Sequence, residues 1–262
     1  MQACWHPASQ QLEHVLKGIW TIESNDKSVQ AKVLPDATPY LVFQRDGSRL
    51  ISSDNDGDTW SQASLSGPRT KAFEIQLAPS SQIFIVQLNC TGGLPVLGLP
   101  MDHVTDRCED LTRVVDRSFQ IEELSDRFLN SPCNVSCIRL FESWLNKRAS
   151  EAINPQVQDA VTEMKECGGL RGVSTLATHV GVSRRHLGRL VRENIGLAPK
   201  LLEKIIRFDR AVQLTRIRPI LALPQIAISA GYADQSHMNR DFMQLAGITP
   251  REVQKDAGHL VW

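Results

Sequence analysis

Apolar residues fall in short runs along the first hundred positions. The strand-sized runs are Ile19–Ile22, Ala31–Leu34, Tyr40–Phe43, Leu50-Ile51, Ala72–Leu77 and Ile83–Leu88. Between them lie the turn formers Pro35-Asp36, Arg45-Asp46-Gly47, Asp54–Asp58 and Ser66-Gly67-Pro68. This punctuation predicts an antiparallel β sandwich or barrel. Near Pro100 the period changes. Leu111, Val114, Val115 and Phe119 recur at helical spacing, then Ile121, Leu124 and Phe128, then Ile138, Phe141, Trp144 and Leu145. Asn154-Pro155 breaks the chain, and a helix carrying Val157, Val161 and Met164 ends at Gly168-Gly169. From there to residue 250 the pattern is one of short helices with brief connections. At 262 residues the length favours two domains. The fold class expected is two-domain α+β. Residues 1–150 form a β-rich, sandwich- or barrel-like domain with a helical appendage, and residues 155–255 form an all-α domain.

The helical part repeats itself. Val173–Pro199 reads VSTLATHVGVSRRHLGRLVRENIGLAP, and Leu223–Pro250 reads LPQIAISAGYADQSHMNRDFMQLAGITP. Ala177 and Gly181 recur as Ala227 and Gly231. Leu187, Arg189, Val191, Gly196 and Pro199 recur as Met238, Arg240, Phe242, Gly247 and Pro250, with one residue inserted just after the glycine turn. A small residue four positions before a glycine lets two helices cross closely at a tight turn, and the glycine relieves its backbone strain. Ser183 and Asp234 then stand where a helix N-cap belongs. Leu187, Leu190 and Val191, and Met238, Phe242 and Leu245, face inward on the helix that follows. Each unit is a helix-turn-helix whose second helix fits a DNA major groove.

Charge supports that assignment. The whole chain is neutral, with 29 basic and 29 acidic residues, yet Leu170–Lys255 holds 14 Lys/Arg against 6 Asp/Glu. Residues 1–154 hold 14 against 19. A basic third in a neutral chain fits a polyanion partner, here double-stranded DNA.

The base-reading positions lie early on each second helix, on its outward face. In the first unit these are Arg184, Arg185 and Arg189; in the second, Gln235, Ser236, His237 and Arg240, with Asn239 adjacent. Arginine matches the O6 and N7 acceptors of guanine, and glutamine suits adenine. Backbone amides near Ser183 and Asp234 are candidate phosphate contacts, although the charge of Asp234 limits that residue itself to capping.

The last hundred residues resemble the DNA-binding domain of the AraC family of bacterial transcription regulators. LATHVGVSRRHLGRLVRENIGLAPKLLEKIIRFDRAVQL and QIAISAGYADQSHMNRDFMQLAGITPREV carry the resemblance, above all GYADQSH, RDF and GITP. It implies seven helices, two helix-turn-helix units and a rigid linking helix at about Pro199–Arg216. It also implies that Arg185 and Arg189 read bases while Arg184 meets phosphate, and it brings RNA polymerase and a homodimer partner into consideration. Two positions depart from the family pattern. Met238 stands where an aromatic is commoner, and Gly188 stands where a larger polar reader is usual. VLPDATPYLVFQRDG and PMDHVTDRCEDL resemble a subgroup with a small β-rich sensor-like domain.

Trp20, Tyr40, Phe43, Trp60 and Phe84 are candidates to line a pocket for a small organic effector inside the β domain, with plain core packing as the alternative. No metal or cofactor is expected. Cys133 and Cys137 lack a second pair at zinc spacing, and His6, His14 and His103 form no His-x-His pair. The acidic run at Asp54–Asp58 lacks the glutamate of a calcium loop and reads as a hairpin loop. Neither a phosphate-binding glycine loop nor a nucleophile elbow is present. No apolar run approaches the roughly 20 residues of a membrane helix, and no secretory signal opens the sequence, so a reduced cytoplasm is expected. The expected function is therefore a DNA-binding regulator controlled by an effector, and not an enzyme. The rivals are a regulator whose first domain serves only assembly, a metal-dependent β-barrel enzyme with a helical appendage, and a helical adaptor protein.

Overall fold

Two central strands explain the layering of the N-terminal domain. β4 (Tyr40–Gln44) is buried along its whole length, and so is most of β8 (Gln82–Leu88). Successive side chains of a strand point to opposite faces, so a continuous apolar run fits a strand covered on both sides. Tyr40, Val42, Ile83 and Ile85 point into the space between two sheets. Leu41, Phe43, Phe84 and Val86 point to the other side, where helices cover them. In the computed structural model, which describes residues 1–45, 47–53, 60–116, 120–131, 133–148, 153–217, 221–255 and 260–261, these strands sit at the centre of a six-stranded sheet.

That sheet has the order β1 (Gln2–Pro7), β2 (Leu16–Glu23), β8, β4, β6 (Ala63–Ser66), β9 (Cys108–Asp110). A second sheet has the order β10 (Leu260–Val261), β3 (Val29–Val33), β7 (Phe73–Leu77), β5 (Leu50–Ser52). Every pairing is antiparallel except β10 on β3, which is parallel. The last described residues thus return to the edge of the N-terminal domain. The fold class expected from the sequence is the one observed. The acidic run at Asp54–Asp58 lies outside the described residues.

After the short helix α1 (Gly93–Leu97) come a 3-10 turn at Met101–His103 and then α2 (Leu111–Val114), α3 (Ile121–Leu129) and α4 (Asn134–Asn146). The helix expected over Leu111–Phe119 is shorter than its periodicity suggests. Asp110 caps its start by accepting from the Thr112 amide, but Val115 is already extended, and Phe119 lies outside the described residues. α3 and α4 cover the outer face of the large sheet. Phe128 meets Phe84 edge-on at 4.6 Å between ring centroids, and Phe141 lies 4.5 Å from Phe43.

The C-terminal part contains α5 (Pro155–Glu166), α6 (Val173–His179), α7 (Arg184–Ile195), α8 (Pro199–Ile217), α9 (Leu223–Ser229), α10 (Gln235–Ala246) and α11 (Pro250–Lys255). The Asn154-Pro155 break is a helix start, with Asn154 Oδ1 accepting from the Val157 amide and Pro155 filling the first turn. The helices share one core that also takes in Leu34, Ala37 and Cys90 from the β domain. Hydrogen bonds cross the seam as well: the Ala72 amide to the Leu245 carbonyl at 2.8 Å, and Thr91 Oγ1 to Gln158 Oε1 at 3.0 Å. No described helix is long and apolar enough to cross a membrane.

Candidate nucleic-acid interface

The two repeat units fold alike, bond for bond. In the first turn the Val182 amide donates to the Ala177 carbonyl at 2.9 Å; in the second the Tyr232 amide donates to the Ala227 carbonyl, also at 2.9 Å. Both alanines are buried. Gly181 and Gly231 sit at φ 71° and 91°, left-handed values that glycine adopts without steric cost. The inserted residue, Ala233, lengthens only the exposed side of the second turn.

Each second helix is capped as the sequence suggests. Ser183 Oγ accepts from the His186 amide at 3.2 Å, and Asp234 Oδ1 accepts from the His237 amide at 2.7 Å. Inward, Leu187 and Val191 in α7 match Met238 and Phe242 in α10, all four fully enclosed. Met238 therefore fills the core socket that an aromatic usually takes. The linking helix α8 fixes the two units to each other. Its Phe208 packs on Phe242 at 4.7 Å, and Lys204 forms an ion pair with Asp241 at 3.0 Å.

Arg184, Arg185 and Arg189 are exposed on α7. Arg189 leans back on its own helix, with Nη2 3.3 Å from His186 Nδ1. It also borders a surface hollow shared with Pro100, Asp102 and His103 of the N-terminal domain. On α10, Ser236 and Arg240 form the exposed stripe, and Arg240 Nε donates to the Ser236 carbonyl at 3.4 Å. His237 is half-buried, its ring edge-on to Tyr232 at 5.2 Å. Gln235 and Asn239 turn aside into a hollow with Arg251 and Gln254 of α11. Arg251 and Gln254 are not among the residues to which the sequence points. Their signal is the capping box Thr249-Pro250-Arg251-Glu252, in which Glu252 Oε2 accepts from the Thr249 amide at 2.6 Å and Thr249 Oγ1 accepts from the Glu252 amide at 3.3 Å. It ends the preceding turn and presents Arg251 beside α10.

The aromatic pocket candidates separate. Tyr40 and Trp60 line a small cavity between the two sheets, with Arg69 and Phe73. The Arg69 guanidinium lies over the Phe73 ring at 4.2 Å. Burial and the neighbouring Asp36 push the Tyr40 phenol well above its ordinary range. Phe43 and Phe84 do not belong to this cavity. Strand alternation sends them to the opposite face of the sheet, into the packed ring cluster under α3 and α4. Trp20 lies on the same inner face as Tyr40, packed at the edge of the inter-sheet core, where it lines a separate cleft facing α8. Cys133 is exposed at the start of α4, whereas Cys137 is buried beneath it.

A family described as a helix-turn-helix domain matches residues 176–256, and a domain of unknown function (DUF6597) matches residues 5–110. The chain is 33% identical over 85 residues to the HTH-type transcriptional regulator GlxA of Rhizobium meliloti, covering 32% of this chain and 26% of that protein. It is 31% identical over 77 residues to the HTH-type transcriptional regulator ArgR of Pseudomonas aeruginosa, covering 29% and 23%. The chain thus spans about a quarter of the length of these curated relatives. Among solved structures, an AraC-type regulator from Chromobacterium violaceum matches at 29% identity and TM-score 0.35, over 38% of this chain and 90% of that one. ToxT of Vibrio cholerae O395, bound to (E)-4-(8-methylnaphthalen-1-yl)but-3-enoic acid, matches at 11% identity and TM-score 0.48, over 97% and 99%. With its paired, identically capped units joined by one linking helix, the C-terminal domain is a helix-turn-helix domain of the AraC type over residues 176–256.

Proposed function

We propose that this protein is a sequence-specific DNA-binding transcription regulator of the cytoplasm, with residues 155–255 as the DNA-binding domain and residues 1–150 as a domain that takes a small organic effector. The observation that carries the reading is the repeat. Two equivalent helices, each capped at an exposed N-terminus, are held by α8 as one body. Arg184, Arg185 and Arg189 face one groove segment, and Ser236 and Arg240, flanked by Arg251, face the next. RNA polymerase and a second copy of the chain are partners consistent with this role.

The N-terminal domain touches both reading units. The Met101–His103 turn and Thr105 meet the end of α7, and Ala72 meets the end of α10. An effector that favours one setting of this seam changes DNA affinity by its differential affinity for the two settings, typically about 1–3 kcal/mol.

The test is selection of bound sequences from a random duplex pool with the full chain, followed by gel shifts at graded salt. The expected site has two base clusters about 10 bp apart, and affinity falls steeply with salt as phosphate contacts release counterions. Absence of any enriched sequence, or salt-independent binding, counts against the reading.

A further inference from the structure

Where the inner face of β2 runs past the edge of the small sheet, a cavity of about 410 Å3 lies between it and the linking helix, within the size range of small-molecule sites. Its walls come from both domains. Trp20 and Ile22 of β2, Gln87 of β8 and Asp36 of the β3–β4 loop form one side. Asp209, Val212, Gln213 and Arg216, one face of α8 by helical spacing, form the other.

Two carboxylates thus face one space from opposite domains. Asp36 accepts from the Tyr40 hydroxyl at 2.5 Å, and that hydroxyl accepts from Gln87 Nε2 at 3.2 Å. Asp209 accepts from Gln213 Nε2 at 2.8 Å. These donors are neutral, and neither carboxylate forms an ion pair among the described residues. Lys17 lines the same cavity, with its ammonium directed to Thr38 Oγ1 at 3.1 Å. Asp209 is ringed by protein yet open to the solvent of the cleft. Burial, and then the charge of Asp36, push its carboxyl up to about 6.

We propose that this cleft binds a small organic amine or guanidine, whose cation sits between Asp36 and Asp209 and whose apolar body lies along Trp20 and Ile22. A cation there relieves the repulsion of two like charges that face one cleft. The two glutamine side chains supply further acceptors for its N–H groups. The ligand joins the β domain to the helix that holds both reading units, so it favours the docked arrangement over any in which the seam opens. This proposal names the class and seat of the effector and rests on the regulator reading above.

The full chain at pH 7.5 is titrated by calorimetry with agmatine, phenethylamine and tryptamine, and with phenethyl alcohol and phenylpropionate as neutral and anionic counterparts. At least one amine is expected to bind saturably. Its affinity should fall tenfold or more in Asp209→Asn and in Asp36→Asn, while the alcohol and the acid do not bind. Asp209→Asn is nearly isosteric and solvent-accessible, so it should melt no lower than the parent protein; it keeps the comparison valid if Asp36→Asn folds poorly. Binding of no amine, equal binding of amine and alcohol, or undiminished binding by Asp209→Asn overturns the proposal. Gel shifts on the same preparations separate the two readings. Amine binding without DNA binding removes the regulator and leaves the site, whereas DNA binding without amine binding does the reverse.

Discussion

The hydroxyl of Thr105, in the N-terminal domain, donates a 2.9 Å hydrogen bond to the carbonyl of Gly196, the residue that ends α7. Gly196 has φ 84°, and a Cβ there would collide with Thr105 Oγ1 and the Met101 carbonyl. Its repeat partner Gly247 ends α10 at φ 63° with open space around it. The two glycines share a conformation but not a neighbourhood.

Gly247→Ala should therefore cost about 1–2 kcal/mol, the ordinary penalty for a left-handed alanine. Gly196→Ala should cost clearly more, because it also pushes the domains apart. Thr105→Val, which loses one hydrogen bond, should cost about 1 kcal/mol. Urea denaturation of the three variants gives the order directly. Equal costs for the two glycines would show that the seam is not closed at this point in solution.

Arg189 and Arg240 occupy equivalent positions in the repeat, and both are exposed. Each alanine substitution should weaken specific DNA binding by about 1–3 kcal/mol and relax base preference in a different half of the site. Sequence selection repeated with each variant checks this. If both variants lose preference at the same base pairs, the two helices do not occupy separate groove segments.

The caps lend themselves to stability measurement without DNA. Ser183→Ala and Asp234→Ala should each destabilise by about 0.5–2 kcal/mol. Asp234 should lie at the upper end, because its bond is shorter and its charge complements the helix N-terminus. Thermal or urea unfolding of the full chain gives both values, and a negligible loss for Asp234→Ala would mean the cap is not formed.

The cleft predicts a pH dependence with a definite sign. Asp209 has its carboxyl raised from 3.8 to about 6 in the folded protein. Between those values the folded state holds a proton that the unfolded state has released. Stability from this group thus declines as pH rises from about 4 through 6. Asp36 raises the affinity for that proton, and Lys17 and Lys165 oppose it; Arg216 lines the same wall. Relative to Asp209→Asn, the parent protein should lose melting temperature between about pH 4 and pH 6 and run parallel to it above that. Parallel melting curves for the two proteins across that range would rule out the raised carboxyl.

Local rules made the helix-turn-helix units legible. Ser183, Asp234, Gly181 and Gly231 are caps and turns whose chemistry acts within a few residues. The strands at Tyr40–Phe43 and Ile83–Leu88 were equally plain, but not the covering of both their faces, which depends on where α3 and α4 dock. That is why Phe43 and Phe84 were grouped with Tyr40 and Trp60 although the pleat sends them to opposite sides of the sheet. The short α2 escaped because Asp110 and Val115 override a periodic pattern with a cap and an extended residue. The pairing of Asp36 with Asp209 has no local signature, since it arises only when two domains close on each other.

The parallel strand at Leu260–Val261 has a mechanical consequence. The helical domain leaves the β domain at one place, ahead of α5, and returns to it at another, on the edge of β3. A body suspended at two points cannot swing freely on a single hinge. Its displacement is restrained at both ends and again along the seam, by the Thr105–Gly196 and Ala72–Leu245 hydrogen bonds. On the DNA-binding role proposed above, whatever moves one of the two helices α7 and α10 against the β domain moves the other with it, since α8 packs on both units.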